Sequence, residues 1–219
     1  MDIQSFKKIF SQDRTQRYLD KFPDDENKAM LYYKINLQIS EAFYPILSIL
    51  EVALRNSLNR ELTRHFGTSE WHTHIAATIG LKGINLEITN ATRFISKRGE
   101  TISGSKIVSE LTLGFWVRVL NVEYEKTLWK SLRLAFPYLP KQERKRHRVS
   151  VPLNNIRNFR NRVYHNEPIA WNFDKLVSIY DEIIEVLGWL NSELPQFAKE
   201  IGRFEIVLIQ SKQELGYSG

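Results

Sequence analysis

The sequence predicts an all-α fold, and three observations carry the prediction. Apolar residues recur at spacings of three and four through most of the chain, the period of helices with one buried face. Turn-formers are sparse, with 10 Gly and 7 Pro in 219 residues. Leu, Ile, Glu, Lys and Arg are abundant, which favours helices joined by short connections. Hydrophobic residues make up 42% and charged residues 26%, a globular balance that excludes a disordered chain. The length suits one domain over residues 1–219, with a core spanning roughly residues 28–191.

Each element has its own signal. Phe6, Ile9, Phe10, Arg14, Arg17 and Tyr18 predict an amphipathic helix over residues 6–22, ended near Pro23. A long helix follows over residues 28–65, with Asp24, Asp25 and Glu26 at its start. Pro45 lies inside it and predicts a kink or two helices. Its second half places Ile46, Leu47, Leu50, Leu54, Leu58 and Leu62 on one stripe, and Gly67 provides a stop. Residues 68–80 are less regular. Helices are predicted over residues 86–97, 105–120 and 124–136, with a polar loop at 98–105 and a turn between Pro137 and Pro140. A basic helix at 141–147 then leads to the stretch VPLNNIRNFRNRVYHNEPI, residues 151–169. An amphipathic helix spans residues 172–190. The tail from Pro195 adds a short helix, and its FEIVLIQ run is either a strand or a packed extended arm.

Charge is concentrated rather than spread. The net formal charge is +6, yet residues 141–165 hold eight Lys or Arg and one Glu, which leaves 23 basic and 24 acidic residues elsewhere. A local basic cluster suits a phosphate-bearing partner, and RNA is the one expected. Lys141, Arg144, Lys145, Arg146, Arg148, Arg157 and Arg162 are the candidate backbone contacts. The chain has no cysteine, which excludes disulfides, thiol catalysis and thiolate metal sites. No leader-like segment opens the chain. The apolar run at residues 42–54 is interrupted by Pro45 and Glu51, so a soluble, cytoplasmic protein without membrane association is expected. His65, His72 and His74 lack a partner at convincing ligand spacing, so neither metal nor cofactor is expected. Phe43, Tyr44, Phe115, Trp116 and Trp129 are candidates for base stacking, although their helical spacing reads first as core.

The chemistry lies in residues 156–165. On a helix, Ile156, Phe159 and Val163 share one narrow stripe that faces the core. Asn161 and His165 lie one turn apart on the opposite side. Pro168 disfavours helical geometry at Glu167 and so stops the helix there, which puts His165 in its last turn. Histidine moves protons near neutral pH, and arginine presents a fork of donors that matches phosphate oxygens. Together they suffice for RNA cleavage by the neighbouring 2′-hydroxyl without a metal. Arg160 and His165, however, stand about 140° apart around an ideal helix. Either the long arginine reaches around, or the helix unwinds before Pro168, or the site combines two chains; a two-fold homodimer that joins two copies of this helix is the arrangement expected. Glu51, Arg55 and Asn56 form a polar group on an apolar helix, read either as a satisfied network or as support for Arg160 and His165.

The segment FRNRVYHNEPI resembles the (L/F)RN-x3-H-x-E-(P/R) signature of the Abi-like proteins, abortive-infection factors of bacteria within the HEPN superfamily. ISEAFYPILSILEVALRNSLNREL, SELTLGFWVRVL and LWKSLRLAFP resemble further stretches of that family in the same order, so the likeness covers roughly residues 38–170. The resemblance implies a HEPN-like helical bundle with added N- and C-terminal helices, usually dimeric, with metal-independent endoribonuclease activity in phage defence. It implies that Arg160 holds the scissile phosphate, His165 transfers protons and Asn161 orients groups beside them. A non-catalytic module that binds RNA or protein is the alternative it leaves open. It also implies a controlling antitoxin or phage trigger. The chain departs from the pattern at Tyr164, where relatives carry a small residue or a second histidine. It departs again at Glu167, where some carry a tyrosine that a partner modifies.

Overall fold

A computed structural model describes residues 2–75, 77–78 and 80–217, and among them every regular element is helical. Ala76 and Ile79 of the irregular segment at 68–80, and Ser218 and Gly219 of the tail, lie outside the described residues.

The first predicted helix is two, α1 (Ile3–Phe10) and α2 (Gln12–Leu19), because Ser11 takes a left-handed φ of 63° between them. Asp2 caps α1 by accepting the Ser5 N–H at 2.9 Å. α3 (Glu26–Phe66) runs for 41 residues from the cap Asp25 to Gly67, whose φ of 72° ends it. Pro45 does not divide it into two helices. The carbonyl deprived of its donor belongs to Glu41, an exposed residue. The short α4 (His72–Ile75) precedes α5 (Lys82–Lys97), which starts four residues before its expected position.

The helix expected over residues 105–120 is α6 (Gly104–Glu110) followed by α7 (Leu113–Arg118). The break is fixed by the buried Trp116 indole, which donates to the Leu111 carbonyl at 3.2 Å. The region expected as one helix at 124–136 is a sequence of 3₁₀ (Val122–Tyr124), π (Glu125–Trp129), α8 (Lys130–Leu132) and 3₁₀ (Arg133–Ala135) turns. The basic helix expected at 141–147 does not form. Lys141–Glu143 is a single 3₁₀ turn, and Arg146 opens α9 (Arg146–Tyr164). α10 (Phe173–Leu190) is capped by Asn172, which accepts the Lys175 N–H at 2.9 Å. α11 (Leu194–Ile201) and α12 (Phe204–Glu214) complete the chain. FEIVLIQ is therefore helix, not strand or extended arm. Phe204, Val207, Leu208 and Ser211 recur at helical spacing and are buried, which decides the period.

α3 is the axis of the fold, with α2, α7, α9, α10 and α12 packed around it. One core draws on all of these but α2, so α12 belongs to the core beyond the boundary expected near residue 191. A second, aromatic cluster of Phe6, Tyr18, Tyr32 and Tyr33 ties α1 and α2 to the start of α3. Among the described residues α3 alone is long and apolar enough to cross a membrane by length and composition, so interruption by Pro45 and Glu51 does not disqualify it. Its apolar residues here serve as core. Phe43, wholly buried, meets Phe159 of α9 at 4.6 Å, Tyr180 of α10 at 6.3 Å and Phe204 of α12 at 4.6 Å between ring centroids. Phe43→Ala is expected to lower unfolding stability by about 3–5 kcal/mol in urea titrations. A loss below about 1 kcal/mol contradicts one shared core.

Candidate functional site

The site begins with how α9 ends. Tyr164 is its last helical residue, His165 is the cap, and Asn166 adopts a left-handed φ of 53°. The Asn166 N–H donates to the Val163 carbonyl at 3.0 Å and the Glu167 N–H to the Arg162 carbonyl at 2.9 Å. This paired closure is the Schellman arrangement, with asparagine in the place that glycine usually fills. The chain thus leaves the helix at Asn166, one residue before the stop inferred from Pro168.

A buried carboxamide fixes the departing strand. Asn36 of α3, 2% exposed, accepts the N–H groups of Ile169 at 2.7 Å and Ala170 at 3.1 Å, and donates to the Glu167 carbonyl at 3.2 Å. Arg162, expected to contact RNA, instead clamps the same turn. It donates to the Glu167 carboxylate at 3.3 Å and to the Pro168 carbonyl. Glu167, placed among the supporting residues, thereby gains a defined partner.

His165 is exposed and lines a cleft of about 350 Å³ between this turn and α2. Arg14, Arg17 and Tyr18 face it from the α2 side. Neither arginine forms an ion pair among the described residues. Asn161 is exposed, and its backbone carbonyl accepts the His165 N–H at 2.9 Å.

Arg160 does not line that cleft. Its Nη2 donates to Glu51 Oε2 at 3.4 Å, and its guanidinium lies 4.0 Å from the centre of the Tyr164 ring. The other Glu51 oxygen receives Arg55 at 3.2 Å. One carboxylate therefore holds two guanidiniums, each of the three side chains 17–24% exposed. Asn56 is exposed and makes no side-chain hydrogen bond among the described residues, so it stands outside the expected group. Tyr164 lies over Tyr44 at 6.0 Å, with the rings 27° apart. Burial raises the Tyr164 phenol above its usual range; Arg160 opposes this, and Tyr44 and Glu51 add to it.

The basic cluster is largely engaged within the protein. Arg144 donates to the Leu139 carbonyl at 2.7 Å and to that of Pro137, closing the turn before α9. Arg146 pairs with Glu125 at 2.9 Å, and Arg148 pairs with Glu185 and stands 4.6 Å over Trp189. Arg157 reaches Asn158 at 3.2 Å. Lys141, Arg144, Lys145 and Arg157 keep no carboxylate partner among the described residues, and since backbone carbonyls hold Arg144, the local basic cluster leaves Lys141, Lys145 and Arg157 as its cations without a carboxylate or main-chain partner. The histidines of the other candidate site diverge. His65 bonds Ser131 at 2.9 Å and His72 bonds Glu70 at 2.8 Å. Among the described residues no three His, Asp or Glu form a metal-binding group. Of the candidate base-stacking aromatics, Phe43, Phe115 and Trp116 are buried in the core, Trp129 packs against it, and Tyr44 is exposed.

Sequence reasoning missed Asn36, and as cleft residues it missed Arg14, Arg17 and Tyr18. A signal existed for Asn36: it interrupts a core stripe of Ala29, Tyr32, Ile39 and Phe43 with a polar side chain. The chain matches no protein-family model, no curated protein and no solved structure.

Asn36→Ala leaves two buried N–H groups unpaired and is expected to lower stability by about 2–4 kcal/mol. Asn166→Gly, which suits the left-handed backbone, is expected to stay within about 0.5 kcal/mol of the wild type. Urea unfolding of both variants checks the pair. Equal losses for the two would show that the turn is not held as described.

Proposed function

We propose that this chain is a metal-independent endoribonuclease of abortive-infection type that acts in phage defence. The observation that carries the reading is His165, set on a fixed turn at the end of α9 and lining a cleft that Arg14 and Arg17 flank. His165 takes the proton of the 2′-hydroxyl, which attacks the adjacent phosphorus. A guanidinium neutralises the charge that builds on the phosphate oxygens. The bond to the 5′-oxygen breaks and that oxygen gains a proton, leaving a 2′,3′-cyclic phosphate and a 5′-hydroxyl. Asn161, one turn before His165, orients groups beside it. Arg160 sits on Tyr164 and Glu51, away from the cleft, which favours a homodimer in which a second copy completes the pocket. The same reading places the protein in the bacterial cytoplasm under control of an antitoxin or a phage trigger.

The engagement of Arg160 also favours a second reading, a non-catalytic HEPN-type module that binds RNA or a protein. RNA incubated with the purified protein in EDTA separates the two. The ribonuclease reading expects cleavage with cyclic-phosphate ends, reduced at least about 100-fold in His165→Ala with helical content unchanged. Undiminished cleavage by that variant contradicts the assignment. Salt-dependent binding without turnover, weakened by Lys141→Gln with Lys145→Gln, supports the second reading.

A further inference from the structure

Tyr18, which lines the cleft beside His165, carries a polar atom that the fold does not use. Tyr18 is 1% exposed, and its hydroxyl oxygen is buried without a hydrogen-bond partner among the described residues. The ring is accounted for by packing, with Tyr33 at 5.3 Å and Trp171 at 5.0 Å between centroids. Phenylalanine makes those contacts equally well, so the hydroxyl is the unexplained part. Burial and the neighbouring Tyr33 raise the phenol well above its ordinary range, and Arg14 and Arg17 pull the other way. The group therefore stays a proton donor at ordinary pH.

Arg14 and Arg17 occupy one face of α2 at i, i+3 spacing. Of the carboxylates that line the cleft, Glu167 is held by Arg162, which leaves Asp13 opposite two arginines and His165. Two guanidiniums, the Tyr18 hydroxyl and an imidazole line one opening with a single carboxylate, Asp13, that has no ion pair among the described residues, so the donors outnumber the acceptors. A phosphate group supplies the missing acceptors.

We propose that the cleft between α2 and the turn after α9 is a phosphodiester subsite for a single RNA strand, with Arg14 and Arg17 holding the phosphate oxygens and the Tyr18 hydroxyl donating to one of them. The subsite rests on the ribonuclease reading for its placement of the strand beside His165, but it binds without requiring turnover. It also supplies the guanidinium that Arg160 does not bring to this cleft within one chain.

The test uses the intact protein and a short, fluorescein-labelled, single-stranded 2′-O-methyl RNA, whose blocked 2′-oxygens prevent cleavage. Anisotropy titrations are run at several salt concentrations beside cleavage assays of unmodified RNA. Arg14→Gln with Arg17→Gln is expected to weaken binding at least about tenfold and to reduce the salt slope by about 1. Tyr18→Phe is expected to weaken binding about threefold or more while unfolding stability holds or rises, a divergence that a packing role does not produce. Lys141→Gln with Lys145→Gln serves as the charge-matched control and has the smaller effect. Binding within twofold of wild type in the double glutamine variant overturns the subsite, as does a loss confined to the lysine control. Binding that depends on Arg14 and Arg17 without cleavage of unmodified RNA supports the subsite and removes the ribonuclease reading. Cleavage with normal binding in the variants does the reverse.

Discussion

Three hydrogen bonds from one buried side chain set the geometry of the region that matters most. Asn36 sits on the central helix with both ends of its carboxamide satisfied by backbone of residues 167, 169 and 170. A polar group this deep is destabilising unless paired and strongly directional once it is. It therefore specifies one path for the chain leaving α9. The Schellman closure at Asn166 aims the chain, Arg162 clamps it from above, and Asn36 receives it from below. His165 inherits its position from that arrangement, since its own ring belongs to the rim of the cleft. The aromatic cluster around Tyr18 and Tyr33 then brings α2 up to form the opposite wall.

Charge behaves differently in space than along the chain. The excess basicity of residues 141–165 meets carboxylates from distant segments: Glu51, Glu125, Glu185 and, at its own end, Glu167. The Arg148–Glu185 and Arg162–Glu167 pairs are well exposed, where an ion pair adds little to stability. Their effect is to occupy arginines that otherwise extend toward a polyanion. Arg160 is the informative case. It is less exposed than Arg148 and Arg162, shares Glu51 with Arg55, and rests on Tyr164, a residue at which the chain departs from the resemblance. The bulky ring gives the guanidinium a seat away from the cleft. The free guanidiniums beside His165 come instead from α2, a segment outside residues 38–170 to which the resemblance extends.

The all-helical class was legible because amphipathic periodicity over long segments is a strong signal, and α3, α9 and α10 follow it closely. Boundaries failed where a single side chain outweighed the period: Ser11 with its left-handed backbone, and Trp116 with its bond to Leu111. FEIVLIQ was ambiguous in sequence because a short apolar run fits either period, and packing against α3 decided it. The α9 stretch stood out through its residue types, yet its partners did not. Arg14 and His165 lie far apart in sequence, and so do Arg160 and Glu51, and only the tertiary fold brings together what each one faces. The helical wheel did carry the separation of Arg160 from His165, because that depends on local geometry alone.

The central claim is that the turn held by Asn36 and the arginines of α2 together present His165 to a phosphate group. The most direct measurement is a crystal structure of the intact protein with a bound 2′-O-methyl RNA strand. The account predicts a backbone phosphate between Arg14 and Arg17, with the His165 imidazole within hydrogen-bonding distance of the adjoining ribose or phosphate. A strand that lies along Lys141, Lys145 and Arg157, with the cleft beside His165 free of nucleic acid, would contradict it.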